Sequence, residues 1–341
     1  MSFLIITLIA SCCAFVIGWA ITAGVRRYAL ATQLLDHPNV RSSHTVPTPR
    51  GGGLSIVIAC TVGVLILWFI RAIDMHLALA VVGGGVAIAA VGFMDDRDSL
   101  PVSVRMVVHI VAAVGAMYVL GGLSVMQIGG RLVDLGIYGD ILGTLAIIWT
   151  LNLFNFMDGI DGIATSEAIF VTGAGAGLAY FMGASGSTSL VAVLLAASCL
   201  GFLTWNWPPA KIFMGDVGSG YLGYVIAVLA IAAARENPVA LFVWLILGGV
   251  FFVDATMTLI RRLIRHERVY VAHRSHAYQW LSRRWNSHKR VTVLVLCFNV
   301  LWLLPLAWFC LYYPNNAWWI SGLALTPVAA LAFIAGAGRP E

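Results

Sequence analysis

Asn152, Asn155, Asp158 and Asp161 recur at three-residue steps in the stretch Asn-Leu-Phe-Asn-Phe-Met-Asp-Gly-Ile-Asp-Gly, which closes an apolar run of membrane length. Side chains three apart on a helical turn share a face. The intervening glycines let a cation or a phosphate come close to the backbone. Ionisable groups at membrane depth are costly and usually functional, although a polar loop that merely caps a span would carry the same residues. A second acid pair, Asp95 and Asp96, ends another apolar run. Adjacent carboxylates repel unless a cation or a proton intervenes, so the pair reads either as a magnesium or catalytic site or as a solvated helix end. Asp98, two residues on, reads as solvated. Oxygen ligands favour magnesium over zinc, because magnesium completes its shell with substrate phosphate and water; manganese is the natural substitute.

Other candidates lie in the remaining polar loops. Phe213-Met214-Gly215-Asp216-Val217-Gly218-Ser219 places an acid in a tight turn before an apolar run, as a site residue or as a helix cap. Phe213 there suits either core packing or stacking on a nucleobase. Arg41, His44 and Arg50 beside Gly51-Gly52-Gly53 would suit a phosphate. The bland alternative is a flexible linker, since three prolines and three glycines forbid a regular helix in this segment. His273-Arg274-Ser275-His276 sets imidazole beside guanidinium, which would cradle a diphosphate. Zinc between its two histidines lacks a cysteine or acid at ligand spacing. Asp254, about two turns before Arg261-Arg262, either pairs with a neighbouring helix or stays at the interface.

These residues need elements to hold them, and composition says which kind. A chain of 341 residues that is 60% hydrophobic and only 10% charged is an integral membrane protein. The expected fold is all-α and polytopic, one membrane catalytic domain over residues 1–341 without internal repeats. The apolar runs give eleven expected spans, at about 3–25, 53–70, 76–94, 105–121, 139–157, 163–183, 188–205, 218–234, 238–260, 291–312 and 317–336. The first lacks the basic start and small-residue cleavage site of a signal peptide, so it is expected to be retained. With the N-terminus periplasmic, 17 of the 20 Lys and Arg residues fall in cytoplasmic segments, leaving only Arg71, Arg131 and Arg235 outside. The expected cytoplasmic loops are about 26–52, 95–104, 156–162, 206–217 and 261–290. This places the candidate residues on one side. The basic inner face suits anionic lipid head groups and phosphorylated substrates and calls for no nucleic acid. Val125 to Leu135 predicts a short outer hairpin turning at Gly129-Gly130. The six cysteines all fall in apolar runs and read as packing or lipid-facing residues, not disulfides.

Taken in order, five motifs over residues 30 to 285 resemble the polyprenyl-phosphate N-acetylhexosamine-1-phosphate transferases of glycosyltransferase family 4. They are Asp36-x-Pro38-Asn39-x-Arg41-x-x-His44 with Pro49 and Gly52-Gly53, then Asp95-Asp96, Asn152 to Gly162, Phe213 to Ser219, and His273 to His276. The first is similar to the loop of the branch that initiates O-antigen and common-antigen synthesis. The last keeps two positions of the family's His-x-His-His cluster and departs from it at Ser275.

The resemblance implies transfer of N-acetylhexosamine 1-phosphate from a UDP-sugar to undecaprenyl phosphate, with release of UMP, in the bacterial inner membrane. It implies Asp216 as principal magnesium ligand, with Asp95 and Asp96 handling the lipid phosphate, Asp95 also near the metal. Asn155 and Asp158 would complete the polar site, and Phe213, Asn206 and Asp161 would surround the uridine. The sugar is left open among N-acetylhexosamines, and small residues on lipid-facing helix surfaces leave a homodimer open. The alternative from a different class is a secondary transporter of an anionic or nucleotide-linked substrate, which also uses acids within spans.

Overall fold

The computed structural model describes residues 3–36, 46–184, 186–267 and 273–340. Helices form where the apolar runs lie, because a backbone without water partners must satisfy its own N–H and C=O groups. In order they are α1 (Phe3–Ala31), α2 (Leu54–Phe69), α3 (Met75–Arg97), α4 (Val102–Leu120), α5 (Gly136–Met157), α6 (Ile163–Phe181) and α7 (Ser187–Asn206). Then come α8 (Asp216–Glu236), α9 (Ala240–Leu247), α10 (Gly249–Ile264), α11 (Ala277–Trp285), α12 (His288–Tyr312) and α13 (Pro314–Ala335). Two-stranded pieces are confined to loops: β1 (Leu35–Asp36) with β2 (Thr48–Pro49), and β3 (Val125–Ile128) with β4 (Arg131–Asp134). The second pair is the predicted hairpin, Ile128 opposite Arg131. Gly129 and Gly130 take φ of 56° and 79° in its two-residue turn.

The eleven expected spans meet the helices only in part. Among the described residues, eight helices are long and apolar enough to cross a membrane, or nine if α9 and α10 count as one span bent by 74°. The bend falls at Gly248-Gly249, a pair that continues the apolar run but weakens the helix ladder. Of the others, α2 has 16 residues, short of a full crossing. Helix α6 reaches 19 residues but carries Thr165, Ser166, Glu167 and Thr172, which lower its apolarity and are buried inside the bundle. The most enclosed helix is α8, whose span window is 89% buried, against 11% for α1. It forms the axis on which α3 and α5 pack. One apolar core runs from Ala14 to Val328. The six cysteines are unpaired.

Connections at the two ends of the bundle differ in character. At one end meet the loops around residues 50, 95–105, 158–162, 206–216 and 273–288, tied together by Arg50, Asp96, Asp161 and Asn206. At the other end Asp74 N donates to Ser187, Arg235 donates to the Gly121 and Gly122 carbonyls, and Gln127 reaches Asn315. Every acid of the sequence motifs, and the His273–His276 cluster, sits at the first end.

Candidate active site

The turn before α8 carries the centre of the site. Gly215 holds φ +76°, a left-handed value that a side chain would strain, and a Cβ there would run into the Asp96 carboxyl group. Asp216 is the first residue of α8. Opposite it, α3 presents Gly92, where a Cβ would stand 2.5 Å from the Asp216 carbonyl oxygen. Without side-chain bulk at Gly92, α3 delivers Asp95 and Asp96 directly against this turn.

The two adjacent acids of α3 part company. Asp96 is buried and accepts the backbone N–H groups of Asp216 at 2.9 Å and Val217 at 3.1 Å, with Arg50 Nε at 2.8 Å. Asp95 faces the other way, accepting Leu100 N–H at 2.7 Å and Arg105 at 2.6 Å. Asp216 lies between them. Its Oδ1 is 2.7 Å from Arg50 and its Oδ2 is 3.5 Å from Arg105, and it also meets the side chains of Asp95 and Asn155. Burial alone would lower the Arg50 guanidinium, but Asp96, Asp216 and Asp36 overcome that and hold it above its ordinary value.

Asp158 closes the group from the C-terminal end of α5. Among the described residues its carboxylate makes no hydrogen bond or ion pair. Burial first, then the charge of Asp216, with smaller contributions from Asp96 and Asp161, push it well above the usual carboxylate range against the pull of Arg50. Among the described residues, four aspartates, Asp95, Asp96, Asp158 and Asp216, thus gather with two guanidinium groups, Arg50 and Arg105. With all four ionised, the excess over these two cations would equal the charge of one divalent ion. The donors are all oxygen, which suits magnesium. Among the described residues no three acid, histidine or cysteine groups converge at ligating spacing. A magnesium ion held by one or two carboxylates and otherwise by water and phosphate does not require them to.

A cavity of about 490 Å³ opens beside this cluster between α3, α4, α5 and α8. Arg105, Asn152, Asn155 and Asp216 line its polar end, and Met106, Leu145, Ile148 and Trp149 its apolar remainder. Asn152 is held by its own helix through Ile148 O at 2.7 Å, and Asn155 donates to Ser219 at 3.3 Å.

The remaining candidates separate by position. Asn206 is buried and works as a brace. Its Oδ1 accepts Gly162 N–H at 3.1 Å and Thr165 Oγ1 at 3.2 Å, and its Nδ2 donates to Ile212 O at 3.0 Å. Asp161 accepts Ala210 N–H at 3.0 Å and stands 3.1 Å from His288 Nδ1. The backbone of Phe213 pairs on both sides, donating to Pro49 O at 2.8 Å and accepting from Gly52 N–H at 2.9 Å. His273 and His276 stack with ring centroids 4.9 Å apart, and His276 stacks on Phe156 at 6.3 Å, which places the pair beside the end of α5. Ser275, the departure from the family's histidine pattern, stands 2.9 Å from His273 Nδ1. Arg274 offers its carbonyl to Arg283 at 3.0 Å. Asp254, whose sequence reading left two roles open, caps α11 by accepting Ala277 N–H at 2.9 Å and Tyr278 N–H at 3.1 Å. Arg41 and His44 lie outside the described residues.

The sequence reading passed over two residues that the fold brings into the site. Arg105 stood at the start of an apolar run, where a single arginine reads as a flanking charge. His288 sits among several arginines and lysines in a basic loop. The signal for Arg105 was its depth, four residues beyond Pro101 and inside the helix that follows.

Residues 78–234 match the family described as Glycosyl transferase family 4. The chain is 33% identical over 287 residues to a probable undecaprenyl-phosphate N-acetylglucosaminyl 1-phosphate transferase of Bacillus subtilis, covering 81% of this chain and 77% of that protein. It is 29% identical to a decaprenyl-phosphate N-acetylglucosaminephosphotransferase of Mycobacterium leprae, over 83% of this chain and 78% of the relative. A phospho-N-acetylmuramoyl-pentapeptide-transferase of Moorella thermoacetica is 34% identical over a shorter stretch, 64% of this chain and 69% of the relative.

Proposed function

This chain belongs to glycosyl transferase family 4, and from that membership and its acid cluster we propose that it transfers N-acetylglucosamine 1-phosphate from UDP-N-acetylglucosamine to undecaprenyl phosphate. The choice of N-acetylglucosamine among N-acetylhexosamines follows the names of the Bacillus and Mycobacterium relatives. The lipid-linked product begins a cell-envelope glycan such as an O-antigen. The site faces the cytoplasm from the bacterial inner membrane, as the distribution of basic residues favours.

An oxygen of the lipid phosphate attacks the β-phosphorus of the nucleotide sugar. The bond from that phosphorus to the oxygen bridging the two phosphates breaks, and UMP leaves with the electron pair. Such a transfer depends mainly on positioning and electrostatics. The cavity leading away from Arg105 and Asn155 would take the first isoprene units, bringing the head group to the acids. Asp216, with Asp95 beside it, would hold magnesium, which supplies positive charge to the diphosphate when bound. Asp158, ionised once a divalent ion is bound, would take up a residual proton of the lipid phosphate. Asp96 serves by holding the Asp216 turn. Arg50, Arg105 and the His273-Arg274-Ser275-His276 segment provide the cations for the phosphates, with Arg41 and His44 from the first loop. Phe213 lies on the side proposed for the uridine.

The observation that carries this reading is the gathering of Asp95, Asp96, Asp158 and Asp216 with Arg50 and Arg105, Arg105 and Asp216 lining the polar end of an apolar cavity. The test incubates purified protein with undecaprenyl phosphate, magnesium and a panel of UDP-sugars, and follows UMP release and lipid mass. Formation of the lipid diphosphate sugar from UDP-N-acetylglucosamine is expected. Movement of a nucleotide sugar across vesicles with no UMP formed would return the chain to the transporter alternative.

A further inference from the structure

The helix that follows the basic loop, α12, turns one face toward the Asp158–Gly162 segment and the helix behind it. His288, Thr292 and Asn299, four and then seven residues apart, lie on that face. His288 Nδ1 is 3.1 Å from Asp161 Oδ1, Thr292 Oγ1 donates to the Asp161 carbonyl at 3.1 Å, and Asn299 Nδ2 donates to the buried Glu167 at 2.6 Å. These contacts reach from beyond the segment matched by the family, which ends at residue 234. The second oxygen of Asp161 accepts the Ala210 N–H at 3.0 Å. One carboxylate therefore joins α12 to the loop that leads through Phe213 to Asp216. The side chains of His288 and Asp161 are 18% and 12% exposed, so water competes little for the pair.

We infer that His288 is a positioning residue for the nucleotide-sugar end of the site: it fixes Asp161, and Asp161 fixes the loop that carries Phe213. The inference rests on the transferase reading above. It separates two otherwise similar roles. A residue that only stabilised the bundle would affect both substrates together, whereas one that sets the Ala210–Phe213 loop affects the nucleotide sugar. In that reading the lipid phosphate approaches from the other side, through the cavity that α4 and α5 line.

The geometry also distinguishes between conservative replacements. An asparagine amide nitrogen falls near the place of Nδ1, and a glutamine amide nitrogen near that of Nε2. Steady-state UMP release is measured for wild type, His288→Ala, His288→Asn, His288→Gln, Asp161→Asn and the Asp161→Asn/His288→Ala pair, each checked for folding by thermal unfolding. The alanine variant is expected to raise KM for the UDP-sugar about ten-fold and to leave KM for undecaprenyl phosphate within about two-fold, in the range of coupling between contacting residues. Asparagine should recover most of the loss and glutamine little of it. The double variant should be no worse than Asp161→Asn alone. If alanine at this position does not fold, the asparagine and glutamine variants still decide the matter by their difference. Unchanged kinetics in His288→Ala, equal rises in both KM values, or equal rescue by asparagine and glutamine would overturn the inference while leaving the transferase reading in place. A wild-type protein that released no UMP from any UDP-sugar would remove both.

Discussion

Asp96 caps the helix that Asp216 begins, its two carboxylate oxygens taking the N–H groups of Asp216 and Val217 at 2.9 and 3.1 Å. One acid of the cluster thus holds another in place, and its remaining capacity goes to Arg50. With its oxygens committed in this way, Asp96 acts on the reaction through Asp216. Replacement by asparagine keeps one acceptor and loses the charge that holds Arg50. Loss of such a cap costs about 1 kcal/mol of stability, and the displaced turn should lower kcat by about a hundred-fold. Asp216→Asn is expected to abolish turnover with a smaller change in unfolding temperature. The pair of variants, compared by UMP release and thermal unfolding, would count against this division if Asp96→Asn left stability untouched.

Close approach of α3 to the same turn depends on Gly92. A methyl group there meets the Asp216 carbonyl carbon at 2.6 Å and Val217 N at 2.7 Å, both backbone atoms without a rotamer to change. Gly92→Ala should therefore push α3 away from α8, at a cost of about 1–3 kcal/mol. Activity should fall more than the stability loss accounts for, because Asp95 and Asp96 move together. Retention of both wild-type unfolding temperature and wild-type turnover would show that the two helices can separate freely.

How much of this was legible in the sequence follows from what each residue costs. Helix positions were readable because long apolar runs have one way to satisfy their backbone. The number of spans was not, since α2 ends after 16 residues within a longer apolar run and α6 carries Glu167 inside another. The bend between α9 and α10 was hidden because glycine is apolar enough to continue a run while failing to keep it straight. Asp95, Asp96, Asp158 and Asp216 were conspicuous, being carboxylates where carboxylates are expensive. Arg105 and His288 are polar where polar residues are ordinary, at a span's start and in a basic loop, so only their partners reveal them. Asn206 and Asp161 were visible as polar residues, but their bonds to Gly162, Ile212 and Ala210 join segments that no local spacing relates.

Asp158 predicts a pH dependence of defined sign. Burial and the neighbouring Asp216 charge raise its carboxyl well above the ordinary value. The folded protein therefore binds a proton that the unfolded chain releases near pH 4. Its contribution to stability is complete below that point and is lost as pH rises through the raised value. A divalent ion reverses the balance, since it calls for the ionised form. Without magnesium, the unfolding temperature should fall as pH rises above the ordinary carboxylate range, and added magnesium should protect most at the alkaline end. Asp158→Asn should flatten the slope. A slope unaltered by that substitution, or stronger magnesium protection at the acid end, would place the titrating group elsewhere.

Arg105 is the cation nearest the apolar cavity, bridging Asp95 at 2.6 Å and Asp216 at 3.5 Å. Both contacts use Nη1, so among the described residues Nη2 of its guanidinium fork makes no hydrogen bond and can meet a phosphate entering along Met106 and Ile148. Its loss should therefore weaken the lipid substrate first. Arg105→Ala is expected to raise KM for undecaprenyl phosphate about ten-fold or more, the usual weight of a charge-assisted hydrogen bond. Lysine should restore only part of this, having charge but no fork. The comparison with His288→Ala is informative, because the two substitutions should act on opposite substrates. A rise in KM for the UDP-sugar alone on removing Arg105 would mean that the lipid phosphate reaches the acids by another path.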